Sequence, residues 1–399
     1  MPNIIFVSDV PVSDGASGSQ ALFRLFEGFP EGCLKIVQTA GRLPPPEKRL
    51  EGATYETFRF PLDRALRTRF AKSANIAKLY YQHLLANRFI RLAQKAQPTA
   101  VVTLTHGNGW ILALALSEKL NIPLHVIIHD GPRHAHLEHP IIGTKLQKYF
   151  IKMLRHATSR WSVSHALDAK IEEMTGVRGY VLPPLRRTGD EAAKSPVKEA
   201  PQNDCAYFGA LNSPSIAEML NDLQDVLSKY DGRACVFGGV SPSVKASKAW
   251  TNKKFTYFGP VENRLDFLRS LHKTFRFVYL PFSFQDHHMS LSLPSKVVDY
   301  TLTHLPILVH APAESPIANW CRQHTDAAML VSTRHHDDLA RSVQELMGSQ
   351  GLRQRLADGA VAAGTFDFCP SKNFNRFWEV VSGGVVSGSA EDEKTARSQ

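Results

Sequence analysis

The run Leu293-Pro294-Ser295-Lys296-Val297-Val298-Asp299-Tyr300 has the residue types that phosphate chemistry needs. A proline and a serine ahead of an apolar helical stretch leave backbone N–H groups without helical partners, and such groups suit a pyrophosphate. Lys296 adds a charge beside them. Asp299, about one turn further in, is spaced to accept hydrogen bonds from ribose hydroxyls. The bland alternative is a helix feeding a buried strand, which the apolar run ending in Val309 would produce without a ligand.

Two further segments suit the same ligand class. The loop from Ser8 to Ser19 holds Gly15 and Gly18, three apart, just before an apolar helical pattern beginning near Gln20. Glycine lets backbone amides approach a ligand, and a helix start supplies a positive dipole end. The spacing is neither G-x-G-x-x-G nor G-x-x-x-x-G-K-[ST], which removes support from NAD and P-loop readings. The other segment, Val126 to Pro132, is an apolar strand ending in His129-Asp130-Gly131. A histidine beside a carboxylate at a strand end can donate to a phosphate or a sugar hydroxyl; its ordinary alternative is a histidine that satisfies loop backbone. His134, His136 and His139 follow with no metal-motif spacing, so no metal is expected.

Elements that position these residues alternate along the chain. Strand-like runs fall at Asn3–Val7, Lys35–Gln38, Ala100–Leu104, His125–Ile128 and Arg160–Val163, with helical patterns at Gln20–Gly28, Ile111–Leu120 and Ala166–Met174. That alternation predicts an α/β, doubly wound, mostly parallel sheet. Gly41–Phe60 reads as an irregular excursion. Residues 185–204 are polar and aperiodic, as a linker would be. Alternation resumes at Cys205–Phe208, Ala234–Phe237, Phe255–Phe258, Phe275–Leu280, Pro306–Val309 and Ala328–Val331, enough for a second Rossmann-like unit of six strands. The expected division is 1–184, the linker 185–204, a second domain 205–368, a terminal helix 369–381, and a disordered tail 382–399. Two such units face each other across a cleft, and ligands bind where their carboxyl edges meet.

Bulk properties agree with a large globular protein. The chain has 399 residues, too many for one ordinary core. Five widely spaced cysteines, with no C-x-x-C pair, fit a reducing compartment. The opening segment lacks a signal peptide's basic region and no run is apolar enough to span a bilayer, so a cytoplasmic protein is expected. The net charge of +10 is concentrated. Between Arg64 and Gln97 stand Arg64, Arg67, Arg69, Lys72, Lys78, Arg88, Arg91 and Lys95, interleaved with Phe70, Tyr80, Tyr81 and Phe89 and with no acid among them. Lys145, Lys148, Lys152 and Arg155 share one helix face. Such stripes fit either a solvated face or an anionic partner, a membrane's inner face or a phosphorylated acceptor. No nucleic-acid module accompanies them, and nucleic acid is not expected as a partner.

The run LPSKVVDYTLTHLPILV resembles the donor-binding segment of GT-B glycosyltransferases, in particular the large retaining family with a Glu-x7-Glu motif, also called glycosyltransferase family 4 or group 1. VVTLTHGNGWILALALSEKLNIPLHVIIHDG is similar to that family's strand–helix–strand ending in a His-Asp loop. SRWSVSHALDAKIEEMTGVRGYVLPP, AYFGAL, FTYFGPV and FDFCPSKNFNRFWEVV follow in the family's order. The resemblance implies transfer of a sugar from a UDP- or GDP-sugar to a glycan or to a lipid-linked or protein-linked acceptor, with no bound cofactor and no metal requirement. It sets Gly15 and Gly18 near the donor diphosphate or the acceptor, and His129, with Asp130, at the transferred sugar. Gly209 would lie at the diphosphate and Val261 near the base, while Pro294, Ser295 and Lys296 would hold the diphosphate and Asp299 the ribose. Retaining members need no dedicated base; an inverting enzyme would need one such as Asp14 or His106. Two positions depart from the pattern. Leu291 stands where the motif's first Glu belongs, with Asp286, His287, His288 and Ser290 as possible substitutes nearby. Gly209–Pro214 also lacks the usual Arg and Lys pair. A non-hydrolysing sugar-nucleotide epimerase and a non-catalytic nucleotide-sugar-binding protein are the alternatives.

Overall fold

The computed structural model describes residues 2–15, 17–58, 71–130, 143–190, 192, 203–285 and 290–383. Outside them lie Arg64, Arg67, Arg69, Gly131, His134, His136, His139, Asp286, His287 and His288, most of the expected linker, and tail residues 384–399; the side chains of Lys72 and Lys78 are likewise outside.

Among the described residues, seven strands form the first sheet: β1 (Ile4–Ser8), β2 (Leu34–Gln38), β3 (Thr54–Thr57), β4 (Ala100–Leu104), β5 (Leu124–Ile128), β6 (Ser159–Ser162) and β7 (Tyr180–Val181). Their order is β3-β2-β1-β4-β5-β6-β7, parallel throughout. The second sheet holds β8 (Cys205–Phe208), β9 (Ala234–Phe237), β10 (Thr256–Gly259), β11 (Phe277–Pro281), β12 (Ile307–His310) and β13 (Met329–Val331), in the order β10-β9-β8-β11-β12-β13, also parallel.

In the first half the helices are α1 (Ser17–Phe26), α2 (Ala71–Gln94), α3 (Gly109–Leu120), α4 (Gly143–His156) and α5 (His165–Thr175). The second half has α6 (Pro214–Leu227), α7 (Pro242–Lys245), α8 (Lys248–Thr251), α9 (Arg264–Leu271), α10 (Lys296–Tyr300), α11 (Pro316–Gln323), α12 (His336–Gly348) and α13 (Gln350–Asp367). The last helix, α14 (Pro370–Val381), returns to the first half. There Phe377 meets Trp161 with ring centroids 5.1 Å apart, and Trp378 meets Phe29 at 5.0 Å.

Strands covered on both faces carry no polar side, so they read as apolar runs. β1, β4 and β5 are buried at every position. Helices α2 to α5 cover one face of the first sheet, in one core with Val7, Val101 and Val126. Helices α1 and α14 cover the other, packing Phe23, Phe26 and Phe377 on Phe6 and Val102. The expected irregular stretch Gly41–Phe60 contains β3. Its sequence, Thr-Tyr-Glu-Thr, is that of an edge strand only partly covered, so no apolar run announces it. The start of the expected linker is anchored instead of free. Arg186 donates to Thr301 and Thr365 from the second half, and Leu185 belongs to the first core.

Candidate functional site

Loops leaving β1, β4 and β5 converge because these strands are neighbours in a parallel sheet. They bring together Asp9, His106, Asn108, His129 and Asp130. Asp9 is held on both oxygens: one accepts from the Asn108 backbone N–H at 2.9 Å, the other from the Thr39 hydroxyl. Gly107, at φ 81°, lets the loop close on that carboxylate, since a Cβ there would run into it. His106 Nδ1 lies 3.4 Å from Asp130 Oδ2, with both side chains about half exposed. The hydrogen bond to Asp130 raises the His106 pKa more than its burial lowers it, and the charge of Asp9 adds to the rise. His129 behaves in the opposite way: burial lowers its pKa against the pull of Asp130.

On the second sheet, backbone lines the corresponding edge. Gly209 N–H donates to Phe237 O at 2.9 Å and Gly238 N–H to Gly259 O at 2.7 Å, with φ of 121° and 136° at Gly209 and Gly238. A Cβ on Gly209 would stand 2.6 Å from Lys296 Cε, so glycine there makes room for the lysine stem. Lys296 turns its ammonium inward, over the Tyr207 ring at 4.5 Å, bonded to the Tyr207 hydroxyl and, at 2.9 Å, to Ala210 O. Burial lowers its pKa to about 7. At the rim of this edge Phe258 is exposed and stacks on Phe237, centroids 4.9 Å apart and planes 13° from parallel; Val261, also exposed, is three residues on.

One loop joins the two edges. Leu291 and Leu293, from the second half, pack on the core of the first. The Ser164 hydroxyl donates to Leu291 O, and the Ser292 hydroxyl donates to His129 O at 2.8 Å. Deeper, Arg24 of α1 donates to Asp299 Oδ1 at 2.7 Å, and Arg264 of α9 donates to the same oxygen at 2.6 Å. Arg264 also reaches Asp190 at 3.1 Å. Burial pushes the Asp299 pKa up, but the two guanidiniums outweigh it and hold the carboxyl below its ordinary value.

No family model and no curated protein sequence matches the chain. Solved structures do. HepE (Alr3699) of Anabaena, crystallised with UDP and glucose, aligns over 96% of this chain and 100% of its own, at 13% identity and a TM-score of 0.66. OtsA, a trehalose-6-phosphate synthase, aligns over 96% and 100% at 11% identity and 0.69. A glycosyltransferase of Rickettsia africae aligns over 97% and 100% at 10% and 0.66. The fold is GT-B.

Within this GT-B frame several residues singled out by sequence differ from expectation in local setting. Helix α10 has only five residues, and the Val297 and Val298 amides bond back to Pro294 O and Ser295 O at 3.1 and 3.3 Å. Fewer N–H groups are therefore open there than a long helix would offer, and its dipole is short. Asp299 is the centre of an ion-pair hub, not an open acceptor for ribose. Gly18 lies inside the first turn of α1, where a Cβ would meet only Val10 at 3.9 Å, so the fold does not require glycine there; Gly15 remains in the loop. Asp14 is tied to Arg187 at 2.8 Å, a poor setting for a general base. His106, by contrast, is paired with Asp130 at the sheet edge. Asp9, Asn108, Gly238 and Phe258 were not anticipated. Gly238-Gly239 directly after an apolar strand was the available signal for the third, and Gly107-Asn108-Gly109 for the second.

Proposed function

We propose that the chain is a glycosyltransferase that moves a sugar from a UDP- or GDP-sugar to a hydroxyl of a glycan, lipid-linked or protein-linked acceptor, with retention of configuration. The observation that carries this reading is the loop Ser290–Ser295, whose bonds to Ser164 and His129 bring the Ser295–Lys296 turn and the Gly209 edge against the His129 edge. A diphosphate between those edges would meet backbone amides and Lys296. The base would lie on Phe258 and Val261, and the transferred sugar on His129. With no nucleophile required, the enzyme's work is alignment of the acceptor and stabilisation of the departing diphosphate. HepE with UDP and glucose, and a trehalose-6-phosphate structure from E. coli bound with UDP-2-fluoro glucose, share the fold, and this supports a nucleotide-sugar donor.

The His106–Asp130 pair favours a second reading, inversion with His106 accepting the acceptor's proton and Asp130 stabilising the imidazolium. The test of the main reading is a thermal-shift panel of UDP, GDP, ADP and their sugars. One base should raise the melting temperature by mass action, the folded state gaining about 2.7 kcal/mol at a hundredfold excess over Kd. Lys296→Ala should remove most of that shift. If no nucleotide shifts the wild type, the donor reading fails, and the anomeric configuration of any product decides between retention and inversion.

A further inference from the structure

Helix α2 is twice as long as α3, 24 residues against 12, or about 36 Å against about 18 Å at the α-helical rise. Both lie on the same face of the first sheet, and both lead into strands that start at its amino edge. The C-terminal half of α2, with Phe89, Ile90 and Ala93 buried, covers α3. Its N-terminal end points toward the carboxyl edge, with Ala74 and Gln82 buried and Ile76 packed on the same core.

The outward face of α2 combines two chemistries. Tyr80 is 55%, Tyr81 37% and Leu84 76% exposed; three of the six large hydrophobics exposed among the described residues stand within five positions. Arg88, Arg91 and Lys95 are exposed further along. At about 100° per residue Tyr80, Leu84, Arg88, Arg91 and Lys95 fall within roughly 80° of arc. Helix α2 has no acidic residue. On the other flank of α3, joined to it through Trp110 and Phe150 with centroids 5.5 Å apart, α4 exposes Lys145, Lys148 and Arg155, and Lys152 paired to Glu118.

A cationic face with a tyrosine–leucine wedge and no acid of its own complements an anionic, partly apolar surface. Phosphates answer the arginines, and acyl chains answer Leu84. We infer that the outer faces of α2 and α4 dock on an anionic lipid bilayer, with Tyr80, Tyr81 and Leu84 entering the interface and Arg88, Arg91 and Lys95 at the headgroups. Along that face the apolar residues stand nearer the carboxyl edge than the arginines do, so docking turns that edge toward the lipid. The inference rests on the first half alone and stands or falls separately from the donor reading.

The test is sedimentation of the full chain with vesicles of phosphatidylglycerol mixed equally with phosphatidylcholine, against phosphatidylcholine alone. Binding should be at least about tenfold tighter to the anionic vesicles and should weaken with added salt. Arg88→Ser with Arg91→Ser should cost about 25-fold, near fivefold per charge. Tyr80→Ser with Leu84→Ser should cost about tenfold or more. Both double variants should keep the wild-type melting curve and its nucleotide shift, since all four side chains are exposed. Equal binding to both vesicles, no binding, or full binding by either variant overturns the inference. A dimer dissolved by Leu84→Ser, without vesicle binding, also overturns it and assigns the face to a second copy.

Discussion

Lys296 sits with its ammonium against a phenol, a ring face and a carbonyl, and among the described residues no carboxylate pairs with it. Burial alone accounts for its pKa of about 7, against an ordinary lysine value of 10.5. Between those values the unfolded chain binds a proton that the folded chain does not, so stability rises with pH across that window. Below it both states are protonated and the full cost of the buried charge remains. Lys296→Met should therefore melt higher than wild type near about pH 6, with the advantage shrinking as pH approaches about 10. Calorimetry across that range checks it, and a pH-independent difference would mean that the ammonium stays hydrated. The sequence marked Lys296 by its place after a proline and a serine, but not its inward turn. That turn depends on Gly209, which is 87 residues away and leaves room for the stem.

At the level of elements, the loop Ser290–Ser295 explains why position 291 suits leucine and not glutamate. Leu291 packs on the core of the first half, and its carbonyl accepts from Ser164. A carboxylate at this position would have to leave that apolar contact or be buried in it. Leu291→Glu should therefore lower stability by about 1–3 kcal/mol and not gain transfer activity; urea denaturation and a UDP-release assay check the two parts. A stable and more active variant would mean that Leu291 stands at the sugar after all. Strands were the most legible elements. β4, β8 and β9 match their apolar runs residue for residue, because a strand buried on both faces has no polar side to confuse the pattern. β3 escaped for its polar edge composition. Helix α2 was noticed only as a run of charge. Its exposed face is part apolar and part cationic, so the usual amphipathic contrast is weak.

Across the whole molecule the two halves are tied by charge as well as by the loop. Arg24 and Arg264 share Asp299, and Arg264 also holds Asp190, so two cations meet two anions and the hub is neutral. It is therefore a strut between the halves, not a spare positive charge for a diphosphate. Sequence separation hid it: Arg24 and Asp299 are 275 positions apart, and nothing local marks either as a partner of the other. The strut predicts an order of costs. Asp299→Asn leaves the buried Arg24 without a carboxylate and Arg264 with Asp190 alone, and should cost about 3 kcal/mol. Arg24→Met leaves Arg264 to satisfy the carboxylate and should cost less, and the double variant should show coupling of about 0.5–3 kcal/mol. Since the arginines depress the folded pKa of Asp299, its contribution is complete above the ordinary carboxylate value and is lost as pH falls through the lower folded one. The deficit of Asp299→Asn should accordingly fade only in strong acid. Denaturant titrations of the three variants across pH test the order; an Arg24→Met cost as large as that of Asp299→Asn, with no coupling, would show that the pair does not join the halves.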